Sequence, residues 1–116
     1  GENSVTIING GTYTTTNDVN VRDTWAYCVN ILDGAKLTVN GGSFTGNHGV
    51  IAAAGNDSKA TLNAGEFNCT ATYTGNSDWV LYAENGGSVV YDAAECTLTT
   101  ANPAGPVYSG ANVTVK

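Results

Sequence analysis

Two tryptophans close stretches of similar make-up, Asp23-Thr24-Trp25 and Ser77-Asp78-Trp79. A flat indole face suits the apolar C–H face of a sugar ring, and a neighbouring carboxylate or amide bonds its hydroxyls. A glycan site built this way would use Trp25, Trp79 and Tyr73 for stacking. Asp23, Asp78 and Asn47 would bond hydroxyls, and His48 would form the floor. The same residues have a structural alternative. Both indoles can fold over an edge of the protein and cover it, since Trp is highly buried on average.

A second set is acidic. Glu66 and Glu95 each follow an aligned Asn or Asp by three positions, so in a stacked repeat they come side by side. Two carboxylates on strands ~5 Å apart form a weak cation site, or an acid and base toward a glycosidic bond. Catalysis also needs a cleft, which a flat strand face lacks, and the plain alternative is two solvated carboxylates. His48 is the only His, so neither a Ser-His-Asp triad nor a metal cluster has much to build on. Cys28, Cys69 and Cys96 are odd in number and show no CxxC spacing. A Cys69–Cys96 disulfide stays open, with Cys96 as a small buried hydrophobe as the other reading. The expectation is a chain that is no enzyme and needs no cofactor.

The elements that would position these residues repeat along the chain. Thr6-Ile7-Ile8-Asn9-Gly10-Gly11-Thr12-Tyr13 aligns with Leu37-Thr38-Val39-Asn40-Gly41-Gly42-Ser43-Phe44. Ala60-Thr61-Leu62-Asn63-Ala64-Gly65-Glu66-Phe67 follows, then Val89-Val90-Tyr91-Asp92-Ala93-Ala94-Glu95-Cys96. Val113-Thr114-Val115-Lys116 begins another. Each unit carries a further apolar stretch, such as Val50-Ile51-Ala52-Ala53-Ala54, bounded by Gly, Asn and Asp. The units run at about 1–24, 25–47, 48–78 and 79–104, with a partial one at 105–116.

A unit of two or three short strands cannot bury its own apolar face, whereas stacked units bury a continuous core. The expected fold is therefore all-β, one short right-handed parallel β-helix (β-solenoid) of about four coils. Asn9, Asn40 and Asn63 would form an amide ladder, with Asp92 at its degenerate rung. Tyr13, Phe44, Phe67 and Cys96 would form an inward stack, and Gly10, Gly41 and Gly65 would take the left-handed turn position. Thr12, Thr14, Thr38, Thr45, Thr61, Thr97 and Thr114 would face outward. Such Thr ranks are similar to those of ice-binding solenoids, but Glu66, Asn68, Glu95, Ile7 and Val90 interrupt them.

Composition agrees. Of 116 residues, 16 are Thr, 15 Gly, 14 Asn and 14 Ala, which supplies turns and outward strand positions but not helical bundles. A net charge of −6 disfavours nucleic acid as a partner, and no apolar run approaches the ~20 residues of a membrane helix.

The motif apolar-Thr-apolar-Asn-Gly-Gly-Thr/Ser-Tyr/Phe resembles the right-handed parallel β-helix repeats in surface proteins of gut bacteria and virion proteins of their phages. Thr6 to Tyr13 and Leu37 to Phe44 match closely, Ala60 to Phe67 has Ala64 for the first Gly, and Val89 to Cys96 is degenerate. The resemblance implies an extracellular, cell-surface or virion location and structural, adhesive or receptor-binding roles. Some β-helices of this shape are polysaccharide lyases, but no lyase-type set of paired Asp with Arg and Lys can be carried over. The last strand begins at the repeat phase of the first and neither end shows a cap. The expected partner is therefore the chain itself, stacked head to tail, with surface glycans second. A segment of a longer solenoid explains the same ends equally well.

Overall fold

The computed structural model describes residues 4–16, 27–70, 79–102, 105–107 and 112–116. The chain runs through β1 (Val5–Ile8), β2 (Thr12–Thr15) and β3 (Tyr27–Leu32). It repeats the sequence in β4 (Lys36–Val39), β5 (Ser43–Gly46) and β6 (Gly49–Ala54), then in β7 (Lys59–Leu62), β8 (Gly65–Cys69) and β9 (Leu81–Glu84). β10 (Ser88–Tyr91), β11 (Cys96–Thr100) and β12 (Val113–Val115) follow.

These strands form three sheets in the orders β1-β4-β7-β10-β12, β2-β5-β8-β11 and β3-β6-β9. Every strand pairing among them is parallel. An isolated parallel bridge from Leu81 to Val107 adds a last rung beside β9. The chain thus visits the three sheets in one cyclic order, and no helix occurs among the described residues. An all-β, parallel, repeating arrangement of this kind is consistent with a β-solenoid.

Period-two alternation explains which residues face the core. In the first sheet Leu37, Ala60 and Val89 stack inward, as do Val39 and Leu62, and all are buried. Thr38 and Thr61, between them, are only half-buried. In the second sheet Tyr13, Phe44 and Phe67 stack ring on ring, with centroids 4.9 and 5.2 Å apart and planes 12° and 7° from parallel. In the third sheet Ile31, Ala53 and Ala83 share one buried column, and Ile51 and Leu81 another. The small Ala residues let this sheet approach the other two.

The fourth repeat corrects the sequence alignment. β11 pairs with β8 so that Leu98 faces Phe67, while Cys96 faces Gly65. Leu98, not Cys96, therefore continues the aromatic column. The cause is the turn. The earlier units pass the corner with one glycine at positive φ: Gly11 (106°), Gly42 (115°) and Gly65 (142°). That is the second residue after each Asn, so of the expected positions Gly65 takes the left-handed conformation while Gly10 and Gly41 do not, which explains why Ala64 is tolerated in the first position. Residues 92–95 contain no glycine and take a longer turn instead. The Asp92 carbonyl accepts from the Glu95 and Cys96 N–H groups, and Asp92 Oδ1 accepts from Ala94 N–H. Two extra residues are spent there, so everything after Asp92 shifts by two.

Candidate functional site

Of the residues expected at the aromatic edge, the structure describes Trp79, Asn47 and His48. Trp79 immediately precedes Val80 and Leu81, and its side chain is 3% exposed. It belongs to a buried cluster with Tyr27 and Ala52, against which Tyr82 packs. The Trp79 N–H donates to Tyr27 Oη at 3.2 Å. A ring so enclosed has no face left for a sugar, so Trp79 is corrected from a stacking platform to a core residue. Burying an indole in an aromatic pocket is favourable, and nothing in the surrounding cluster holds it out. Trp25, Tyr73, Asp23 and Asp78 lie outside the described residues.

The expected floor is also inside the protein. His48 is 2% exposed and Asn47 half-buried, and these two residues are the whole connection between β5 and β6. The His48 carbonyl accepts from Cys69 Sγ at 3.5 Å. His48 is a packed corner residue rather than a group presented to a ligand.

The carboxylate pair does not form. Glu66 aligns with Ser43 below and Thr97 above, while Glu95 sits in the turn before β11. The two-residue shift at 92–95 separates them. The outer face of the second sheet therefore reads Thr12, Ser43, Glu66, Thr97 in one column and Thr14, Thr45, Asn68, Thr99 in the next. One carboxylate amid hydroxyls and an amide is neither a cation site nor an acid–base pair. Among the described residues no three His, Cys, Asp or Glu side chains gather around a common point.

The ladder is the best-formed polar feature. Asn40 Nδ2 donates to Asn9 Oδ1 at 2.9 Å, and Asn63 Nδ2 donates to Asn40 Oδ1 at 2.8 Å. Every rung points the same way, so Asn63 Oδ1 is left facing the next unit. The rung there is Asp92, which as a carboxylate has no proton to give. Lys116 supplies it instead, its Nζ donating to Asn63 Oδ1 from the unit beyond. β10 pairs with both β7 and β12, which places Asp92 between Asn63 and Lys116. The aligned repeats point to the three amides and Asp92, and not to Lys116. The signal was available, because Lys116 directly follows the aligned Val113-Thr114-Val115 and so occupies the ladder position.

None of the three cysteines is in a disulfide. Cys69 aligns with Thr100 rather than with Cys96, so that disulfide has no geometric basis. Cys96 Sγ donates to the Leu62 carbonyl at 3.4 Å. Burial pushes the Cys28 and Cys96 thiols up from their ordinary value, against backbone hydrogen bonding at Thr45 for the first and at Asp92 for the second, which lowers them. The fold thus favours the protonated thiols. Their contribution is fully present below the unfolded thiol's value and is lost as pH rises through the folded values. The expected result is a denaturation midpoint that falls between pH 8 and pH 10 in urea titrations. In a Cys28→Ala, Cys96→Ala double variant the fall should be smaller; an equal fall would assign the loss to other groups.

Compared with known proteins, the chain matches no family model, no curated protein and no solved structure.

Proposed function

We propose that this chain is a non-enzymatic structural and adhesive module, a right-handed parallel β-helix of about four coils that stacks head to tail. It works outside the cell, on a bacterial surface or a virion.

One observation carries this reading. Among the described residues, burial of the core is complete in the middle strands and partial in the first and last ones. The fully buried residues belong to the middle strands, while the apolar residues only partly buried against them are Ile8, Cys28 and Val29 at one end and Tyr91, Leu98, Val107 and Val113 toward the other. A hollow of about 290 Å³ opens at the first end between β1, β3 and β4, bordered by Thr6, Val29, Ile31 and Leu37. The last strand of the first sheet carries Val113-Thr114-Val115 in the same columns as Thr6-Ile7-Ile8. Val115 is 60% exposed although its column is inward. A second copy placed on β12 through its own β1 would pair Val113 with Thr6 and Val115 with Ile8. Parallel hydrogen bonding would continue without a register change. Such an interface is heterologous and does not close, so it propagates. The outer face of the second sheet, made of Thr, Ser and Asn with one Glu, favours a solvated rod over a catalytic cleft.

Sedimentation and electron microscopy over a concentration series test this. Growth into filaments is expected. Val115→Lys and Ile8→Lys should each raise the concentration needed at least about tenfold, because each removes apolar burial of about 1.5–3 kcal/mol at one end of the junction. An equimolar mixture of the two variants should form dimers through its unmodified ends. A wild-type chain that stays monomeric at every concentration overturns head-to-tail stacking.

A further inference from the structure

We infer that Lys116 and Asp92 end the amide ladder, so that stacked copies join through backbone alone at that column and the joint is weaker than the internal steps. The inference rests on the stacking reading above and concerns what limits it.

Two ladders run along this corner of the first sheet, and only one of them crosses the joint. The backbone ladder is unbroken. The Asn40 N–H donates to the Ile8 carbonyl at 2.8 Å and the Asn63 N–H to the Val39 carbonyl at 2.8 Å. The Asp92 N–H donates to the Leu62 carbonyl at 3.0 Å and the Lys116 N–H to the Tyr91 carbonyl at 2.8 Å. With Val115 beside Ile8 of the next copy, that copy's Asn9 N–H falls opposite the Val115 carbonyl, and the series continues.

The side-chain ladder has a direction. Asn63 Nδ2 donates to Asn40 Oδ1, and Asn40 Nδ2 donates to Asn9 Oδ1. Each rung therefore donates toward β1 and accepts from the β12 side. A copy seated on β12 brings its Asn9 Nδ2 as the donor, so the rung it meets must accept. That rung is Lys116, whose ammonium has three donors and no acceptor. Its Nζ also points the other way, back to Asn63 Oδ1. Asp92 has acceptors, but its Oδ1 takes the Ala94 N–H, and its strand lies one spacing of about 4.8 Å further from the joint. Donor thus meets donor where the internal rungs gain a bond. Asn9 and Lys116 are both exposed, so water satisfies each of them. What the joint forgoes is one amide bond.

Asp92→Asn combined with Lys116→Asn tests this at constant net charge. The two new amides let the ladder run to β12 and present Oδ1 to the incoming Asn9. Sedimentation over a concentration series should show stacking at a concentration about two- to tenfold lower than for the wild type, the worth of one net hydrogen bond. Adding Asn9→Ala, which removes the donor, should cancel the gain. Lys116→Asn alone carries the same test without altering the turn at 92–95, because the Asp92 carboxylate accepts from the new amide. Wild-type filaments with no gain in the variants, or a gain that survives Asn9→Ala, overturn this inference and leave stacking standing. Stacking by the variants alone supports the inference and overturns stacking of the wild type. Monomers throughout overturn both.

Discussion

Phe44→Ala is expected to lower stability by about 3–5 kcal/mol, the range for removing a fully buried Phe. Phe44 has no exposed surface and lies between two parallel rings, Tyr13 at 4.9 Å and Phe67 at 5.2 Å. Deleting it forfeits its transfer energy and two stacking contacts, each worth about 0.5–1.5 kcal/mol. The surroundings cannot collapse to fill the gap, because strand spacing is held by hydrogen bonds on both sides of β5. A domain this size has about 5–15 kcal/mol to lose, so the variant should sit near its unfolding midpoint or beyond it. Tyr13→Ala is the comparison. Tyr13 is exposed and, among the described residues, stacked on one side only, so its loss should be less than half as large. Guanidinium titrations read both values. Equal losses would mean that the column does not act as a core.

That column was legible in the sequence for three rungs and not for the fourth, and the difference has a physical cause. Asn-Gly-Gly and Asn-Ala-Gly declare a tight corner, because a glycine is available for positive φ at a constant distance from the strand. Asp-Ala-Ala-Glu has no such residue, and counting onward at the old spacing places Cys96 and Glu95 two positions wrong. The strand itself carried the answer, since Cys96, Leu98 and Thr100 alternate with Thr97 and Thr99. Only the choice of register was open, and turn length decided it.

The candidate site was less legible for a different reason. A Trp beside acidic residues has the same local sequence whether it is presented or buried. For Trp79 the deciding partners, Tyr27 and Ala52, come from strands far away in sequence. Lys116 was overlooked for a related reason. Its position after an aligned strand was visible, but its chemistry depends on the direction of the ladder. Sequence shows which amides stack, and not which way they point.

Gly46→Ala is expected to cost at the upper end of the about 1–3 kcal/mol typical of overpacking, or more. The connection between β5 and β6 turns the corner with only Asn47 and His48 between two glycines. A Cβ on Gly46 would lie 2.1 Å from the Gly49 carbonyl oxygen. Both atoms belong to or spring directly from the backbone, so no rotamer relieves the overlap. Opening the corner is blocked from the other side. Gly49 packs against Tyr27 so closely that its own Cβ would fall 2.2 Å from that ring, and the ring is held by the Trp79 N–H on its hydroxyl. The substitution must therefore displace β6 from β3 or push buried His48 outward. Gly10→Ala tests the logic at another corner. Nothing lies within 4 Å of a Cβ there, and Gly10 is not among the positive-φ glycines. Its replacement should be neutral, or stabilising by about 0.4–1 kcal/mol through a less flexible unfolded chain. Thermal melts of the two variants should therefore move apart. If Gly46→Ala melts with the wild type, the short corner is looser than this geometry allows.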